Sequence, residues 1–230
     1  MLLRKKLLPL RKTSNFRKSG VPRRGTPFLF LRRDMTESRV FPLYKRNIIV
    51  YNEKKETDDG MNMDYIALAG REHCCSFSGH RRLARERYPV LAGKVSETVR
   101  WLYYEKDVRV FLTGAAIGFD TVAAIAVLNL KRELKDLHLA AVIPCPEQGQ
   151  GWTEAQRGQY RTVLSGADQV IEIADSYYKG CMLERNRFLV ENAAYLISYY
   201  DGSGKGGTAY TVNYAAQKGL TVLPLYEERT

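Results

Sequence analysis

Asp201-Gly202-Ser203-Gly204-Lys205-Gly206-Gly207-Thr208 holds four glycines within six positions, directly before an amphipathic stretch. A loop of that composition feeding a helix leaves backbone N–H groups free and turns the positive end of the helix dipole toward an anion such as phosphate. Thr113-Gly114-Ala115-Ala116-Ile117-Gly118-Phe119-Asp120 is a second loop of this kind. It is neither G-x-G-x-x-G nor a Walker loop, and tight strand–helix packing would explain either loop singly. Two in one chain favour a shared, negatively charged guest. Asp120 would complement the helix dipole or bind a ribose hydroxyl; Thr208 would cap its helix, bind a phosphate oxygen, or both.

Three further stretches carry groups suited to the same guest. Ser78-Gly79-His80-Arg81 combines close backbone approach at glycine with two side chains able to donate to an anion. Gln150 and Trp152 offer an amide and a flat ring face, although a Trp beside a helix cap is more often a packing anchor. Tyr178 offers another ring, and Arg185-Asn186 falls near a helix start, where it is either an ordinary charged face or a ligand contact.

Short apolar runs precede each of these stretches and read as strands: His73–Ser78, Val108–Thr113, Leu139–Pro144, Gln169–Ala174, Tyr195–Tyr200 and Thr221–Leu225. Helix-length segments at about 90–105, 118–136, 153–166, 181–193 and 207–218 separate them. Phe119, Val122, Ala123, Ala126, Val127, Leu130 and Leu134 form one apolar stripe, and Thr153-Glu-Ala-Gln156 is a capping-box pattern. Alternation of this kind implies an α/β fold, a Rossmann-like three-layer sandwich with a mostly parallel sheet. Ligands of such sheets bind beyond the carboxyl ends of the strands, near the point where strand order reverses.

The 230 residues suffice for one such domain with an appendage, and 45% are apolar. The formal charge of +11 is unevenly spread: residues 1–46 hold 14 Lys/Arg against 2 Asp/Glu, a balance of +12, and the rest is nearly neutral. Overall basicity therefore says nothing about the pocket. Residues 1–60 are expected to be a flexible basic extension and linker, with a short strand allowed at Asn47–Val50, and residues 61–230 the folded domain. Met61 and Met63 stand where a natural start would be expected. No apolar run reaches the ~18 residues of a membrane helix, and four cysteines without C-x-x-C spacing fit a reducing, cytoplasmic setting. Three scattered histidines support neither a nucleophilic triad nor a metal cluster. Cys181, near a helix start, is a weak nucleophile candidate.

In order along the chain, several features resemble the YpsA-like family of the SLOG superfamily, which is named for the DNA-processing protein A and Lonely Guy groups. They are Phe77-Ser78-Gly79-His80-Arg81, Leu112–Asp120, Ile143-Pro144 with Gln150 and Trp152, Tyr160, Ala167-Asp168, Tyr178, Met182-Leu183-Glu184-Arg185-Asn186, Tyr200-Asp201-Gly202 and Gly206-Gly207-Thr208. The resemblance covers roughly residues 70–226 and implies a Rossmann-like fold with a pocket for a nucleotide or a derivative of one. Lonely Guy enzymes are phosphoribohydrolases with an Arg in Met-x-x-Arg, matched here by Arg185, and a Glu three positions after Gly-Thr. Thr211 stands at that glutamate position, and Ile125 where the YpsA-like pattern tends to have an acid. A threonine cannot do a carboxylate's acid/base work.

The expectation is a cytoplasmic binding or sensor module for a nucleotide-derived ligand, ADP-ribose- or NAD-like, needing no cofactor or metal. Its phosphates would lie on the Gly114–Gly118 and Gly204–Thr208 turns, steadied by Arg81 and Arg185. Trp152 or Tyr178 would stack on the base, and Asp120 would hold a ribose. A nucleoside-monophosphate hydrolase using Arg185 with Asp120 or Glu184 is one alternative. DNA binding is another, its support limited to non-specific contacts of residues 1–46. A homo-oligomer is compatible with the sequence.

Overall fold

The structure, a computed structural model, describes residues 49–51 and 64–227. The expected flexibility of the basic extension concerns residues that lie outside these. The strands are β1 (Ile49–Tyr51), β2 (Cys74–Gly79), β3 (Val110–Thr113), β4 (His138–Ile143), β5 (Gln169–Glu172), β6 (Tyr195–Tyr199) and β7 (Thr221–Pro224). They form one sheet in the order β1-β5-β4-β3-β2-β6-β7, parallel throughout except for β1. The helices are α1 (Tyr65–Ala69), α2 (Tyr88–Glu105), α3 (Phe119–Leu130), α4 (Glu154–Gly166), α5 (Cys181–Glu191) and α6 (Gly206–Gln217).

Side-chain alternation along the central strands divides the core in two. Cys75, Phe77, Phe111, Leu139 and Ala141 face α2, α3 and α4 through Val95, Val99, Phe119, Val127 and Val163. Cys74, Val110, Leu112, Ala140 and Val142 face Ile66 of α1, Phe188 and Leu189 of α5, and Ala215 of α6. Both faces being covered, the strands read as unbroken buried runs, which made them visible in the sequence. The architecture is the expected Rossmann-like sandwich.

Two boundaries differ from expectation. The stripe read as a helix to residue 136 ends at Leu130, and Glu133 and Leu134 continue in turns whose N–H groups donate to Leu130 O. The edge strand covers Ile49–Tyr51, so the sheet begins before residue 61; its backbone pairs antiparallel with β5, which would otherwise be an open edge.

From β2 the chain lays down β3, β4 and β5 on one side, then crosses through α5 to place β6 on the other side of β2. Strand order therefore reverses between β2 and β6, whose ends align with Gly79 opposite Tyr199. The loops after β2, β3 and β6 are thereby neighbours along one edge.

Asp168 fastens the corner between α4 and β5 and gives the fold a pH dependence of predictable sign. Burial would raise its carboxyl, but the His138 ring, the Lys131 ammonium and the Leu139 N–H (2.9 Å) hold it down at about 2. Its folded pKa lies below the unfolded value of 3.8, so the stabilisation is complete above pH 4 and fades as pH falls toward 2. We expect Asp168→Asn to cost about 2 kcal/mol at pH 6, from the shift of nearly two units, and a few tenths near pH 2. Urea unfolding at both pH values checks this.

Candidate functional site

The site rests on how loops close around glycines. Gly118 has φ +88°, and a Cβ there would lie 2.5 Å from the carbonyl oxygens of both His80 and Arg81. The loop after β2 therefore lies directly on the start of α3, where the Phe119 N–H donates to His80 O at 3.1 Å. The neighbouring amides are used as well. The Ala115 N–H donates to Thr113 Oγ1 (3.1 Å), and the Asp120 carboxylate accepts the N–H groups of Ala116 and Gly79.

Arg185, only 4% exposed, reaches from α5 to donate to Gly114 O, while its Nε donates to Asn186 Oδ1 at 2.9 Å. Its guanidinium and the Asp120 carboxylate occupy the space a side chain at Gly114 would need. The two glycine-rich turns do flank β2 on one edge, but the Gly114–Gly118 turn is not an open cradle. It follows a buried strand and satisfies its own polar groups, with Arg185 as the plug. Asp120 is 7% exposed beside this plug. Burial lifts its carboxyl to about 6, against the downward pull of Arg185, the Ala116 N–H, Arg81 and the Gly79 N–H.

The Gly204–Thr208 turn is different. Gly202, Gly204 and Gly206 have positive φ and face open space; Gly206 and Gly207 are exposed, and no side chain caps α6. Thr208 does not cap its helix as expected: Lys205 holds that position, and the Thr208 hydroxyl donates to Gly79 O at 3.0 Å, tying α6 to β2. Asn186 Nδ2 lies beside Gly207, so α5 borders the same opening. Ser78 is buried in β2. His80 Nε2 sits 3.0 Å from the Asp201 carboxylate and 3.1 Å from its N–H, joining the loops after β2 and β6.

Two hollows open on this edge. A cavity of about 250 Å³ is lined by Arg81, Ala116, the 145–152 loop, Tyr177 and Met182. Trp152 stands in its wall, braced edge-on by Tyr160 at 5.4 Å, with Gln150 beside it. An open cleft of about 960 Å³ lies between the loop after β2 and the chain's last strands, bordered by His80, Arg82, Arg87, Tyr199, Asp201 and Tyr226. Arg81, exposed, borders both.

The two adjacent tyrosines of this loop part company. Tyr178 donates its hydroxyl to Glu184, and it is Tyr177, 64% exposed, that reaches the cavity. Gln148 was missed as a site residue: it is 6% exposed, and its Nε2 holds Gly114 O (3.1 Å) and Ala115 O (3.2 Å). Nothing local marks it, because its partners are 33 and 34 residues away. Arg87 and Tyr226, which both meet Tyr199, were missed for the same reason. Cys181 is fully buried at the start of α5, and burial pushes the Cys145 thiol up to about 12, so Cys145 presents no reactive thiolate.

The model of the YpsA family, described as a SLOG family, matches residues 83–222. The chain belongs to the YpsA family. The match takes in Gly114, Asp120, Trp152, Arg185, Asn186 and Gly206–Thr208, and begins just after Ser78–Arg81. Among curated relatives, a UPF0398 protein of Brevibacillus brevis is 29% identical over 124 residues, 53% of this chain and 65% of the relative. A UPF0398 protein of Bacillus thuringiensis strain Al Hakam is 31% identical over 119 residues, 51% of this chain and 65% of the relative. The chain thus spans slightly less than two thirds of the length of these relatives. Among solved structures, DNA processing protein A of Streptococcus pneumoniae superposes with a TM-score of 0.49 at 19% identity, over 67% of this chain and 50% of that one. DNA processing protein A of Helicobacter pylori, described there in its single-stranded DNA binding mode, gives 0.48 at 15% identity, over 82% and 85%. No helix among the described residues is long and apolar enough to cross a membrane.

Proposed function

We propose that this member of the YpsA family binds a nucleotide-derived anion at the edge where strand order reverses. The aromatic end enters the cavity beside Trp152, and the phosphates lie at Arg81 and the uncapped start of α6. The observation that carries this reading is the position of Arg81. It is an exposed guanidinium on a backbone pinned over Gly118, bordering both the Trp152 cavity and the open cleft. Arginine suits phosphate through its planar array of donors. The Gly206 and Gly207 amides, two positions and one position before the Thr208 tie to Gly79, supply the second anion contact. The cavity's 250 Å³ is smaller than an ordinary ligand pocket of ~300–1,000 Å³, so it takes the base of a nucleotide-derived ligand and leaves the rest to the cleft.

Binding without cleavage is the form supported by Thr211. It is fully buried, its hydroxyl donates to Gly207 O (2.8 Å), and it puts no carboxylate where a phosphoribohydrolase needs one. Asp120 and Glu184, the alternative acids, are engaged with backbone amides and with Tyr178. The free cysteines fit a cytoplasmic protein.

Calorimetry with ADP-ribose and AMP tests the reading. Arg81→Ala should weaken binding at least about tenfold, or 1.4 kcal/mol, with an unchanged melting temperature. Absence of heat for any nucleotide at millimolar concentration overturns it. Free base in the recovered ligand would replace binding with hydrolysis.

A further inference from the structure

Two residues that line the cavity beside Trp152 each carry a buried oxygen without a hydrogen-bond partner beneath its wall, Oε1 of Gln148 and Oε2 of Glu147. Orphaned buried acceptors are rare in native proteins, and each carries a desolvation penalty that a matching donor removes. The Gln148 side chain is not free to turn away. Gln148 is 6% exposed and must keep Nε2 toward the Gly114 and Ala115 carbonyls, which fixes Oε1 as the outstanding group. Oε2 of Glu147 is likewise buried and unmatched. A flat ring entering beside Trp152 thus lies against a wall with two unmatched acceptors just beneath it, one of them on a carboxyl group.

We infer that the cavity is a nucleobase subsite selecting a guanine-type edge, an inference that rests on the nucleotide reading above. An ionised carboxylate has only acceptors and is best matched by two adjacent N–H donors. Guanine presents them side by side, at N1 and the 2-amino group. Adenine and cytosine set a ring-nitrogen acceptor next to their amino group and turn its lone pair toward the carboxylate. Uracil flanks its one N–H with two carbonyls. Since the orphaned oxygens are closed to water, the base reaches them by pressing into the wall with a shift of the half-buried Glu147 side chain. Hypoxanthine, with the ring N–H but without the amino group, makes half of the match.

The test is calorimetric titration of the full chain with GMP, IMP and AMP, on the unmodified protein and on Glu147→Gln and Arg81→Ala. GMP should bind at least about tenfold more tightly than AMP, the discrimination of one good bidentate base contact, with IMP between them. Glu147→Gln keeps the side chain's shape and supplies a donor for adenine N1, so it should narrow or invert the GMP preference. Arg81→Ala should weaken all three alike and keep their ranking. AMP binding as tightly as GMP to the unmodified protein overturns base selection while leaving the anion site standing, as does a preference that Glu147→Gln leaves unchanged. No binding of any of the three overturns both readings. The ranking on the unmodified protein decides the matter even if a variant fails to fold.

Discussion

Arg185→Ala is expected to destabilise the fold by about 3–5 kcal/mol, the range for removing one member of a buried charged set. The guanidinium is 4% exposed, and the opposite charge packed against the same glycine is the Asp120 carboxylate, itself 7% exposed. Removing Arg185 strands that carboxylate, leaves Gly114 O with Gln148 alone, and opens a void between α5 and the loop after β3. Burial lowers the Arg185 pKa from its ordinary value, but arginine stays charged, so the group cannot escape by neutralising. Lysine would keep the charge and lose the simultaneous contacts to Gly114 and Asn186, so Arg185→Lys should recover little. Pairing Arg185→Ala with Asp120→Asn should restore part of the loss, because the stranded negative charge disappears with it. Urea unfolding midpoints at a constant slope measure all three. A loss below 1 kcal/mol for Arg185→Ala, as at a surface arginine, would contradict the buried-plug account.

Gly118→Ala is expected to cost about 3 kcal/mol or more, combining overpacking with a backbone region few L-residues enter. A Cβ at Gly118 meets the His80 and Arg81 carbonyl oxygens at 2.5 Å, and these are main-chain atoms that yield only if the whole loop moves. Movement there breaks the Phe119 N–H bond to His80 O and displaces Arg81, so nucleotide affinity should fall together with stability. Gly204→Ala is the matched control: φ is +72° but its Cβ would meet nothing, so only backbone strain of about 1–2 kcal/mol remains. Equal losses at the two glycines would remove the close approach as the cause.

The layered fold was legible because the central strands are short and covered on both faces, which leaves runs such as Leu139–Ile143 without polar interruption. β1 was only glimpsed, since three residues pairing by backbone at an edge leave little trace in side-chain pattern. Within the site, the sequence showed which loops gather at one edge but not where their hydrogen bonds go. The Gly114–Gly118 and Gly204–Thr208 turns look alike as strings, yet one is filled by an arginine 71 positions away and the other is open. Tyr177 and Tyr178 are adjacent and chemically identical; only the contact with Glu184 decides which one faces the cavity. Asp120, expected on a ligand, is held by Gly79 and Ala116 amides whose direction no local spacing encodes.

The crossover that carries the chain from β5 past β2 to β6 also sets a timetable for synthesis. A nascent chain that has emerged only as far as β5 has its first central strand bare on one side and its Asp120 acid without the distant guanidinium. Contacts spanning this much sequence close slowly, and an unpaired strand invites neighbours. On the ribosome the edge where strand order reverses is therefore the last part to be completed, and the half-made protein is at its stickiest just before that moment.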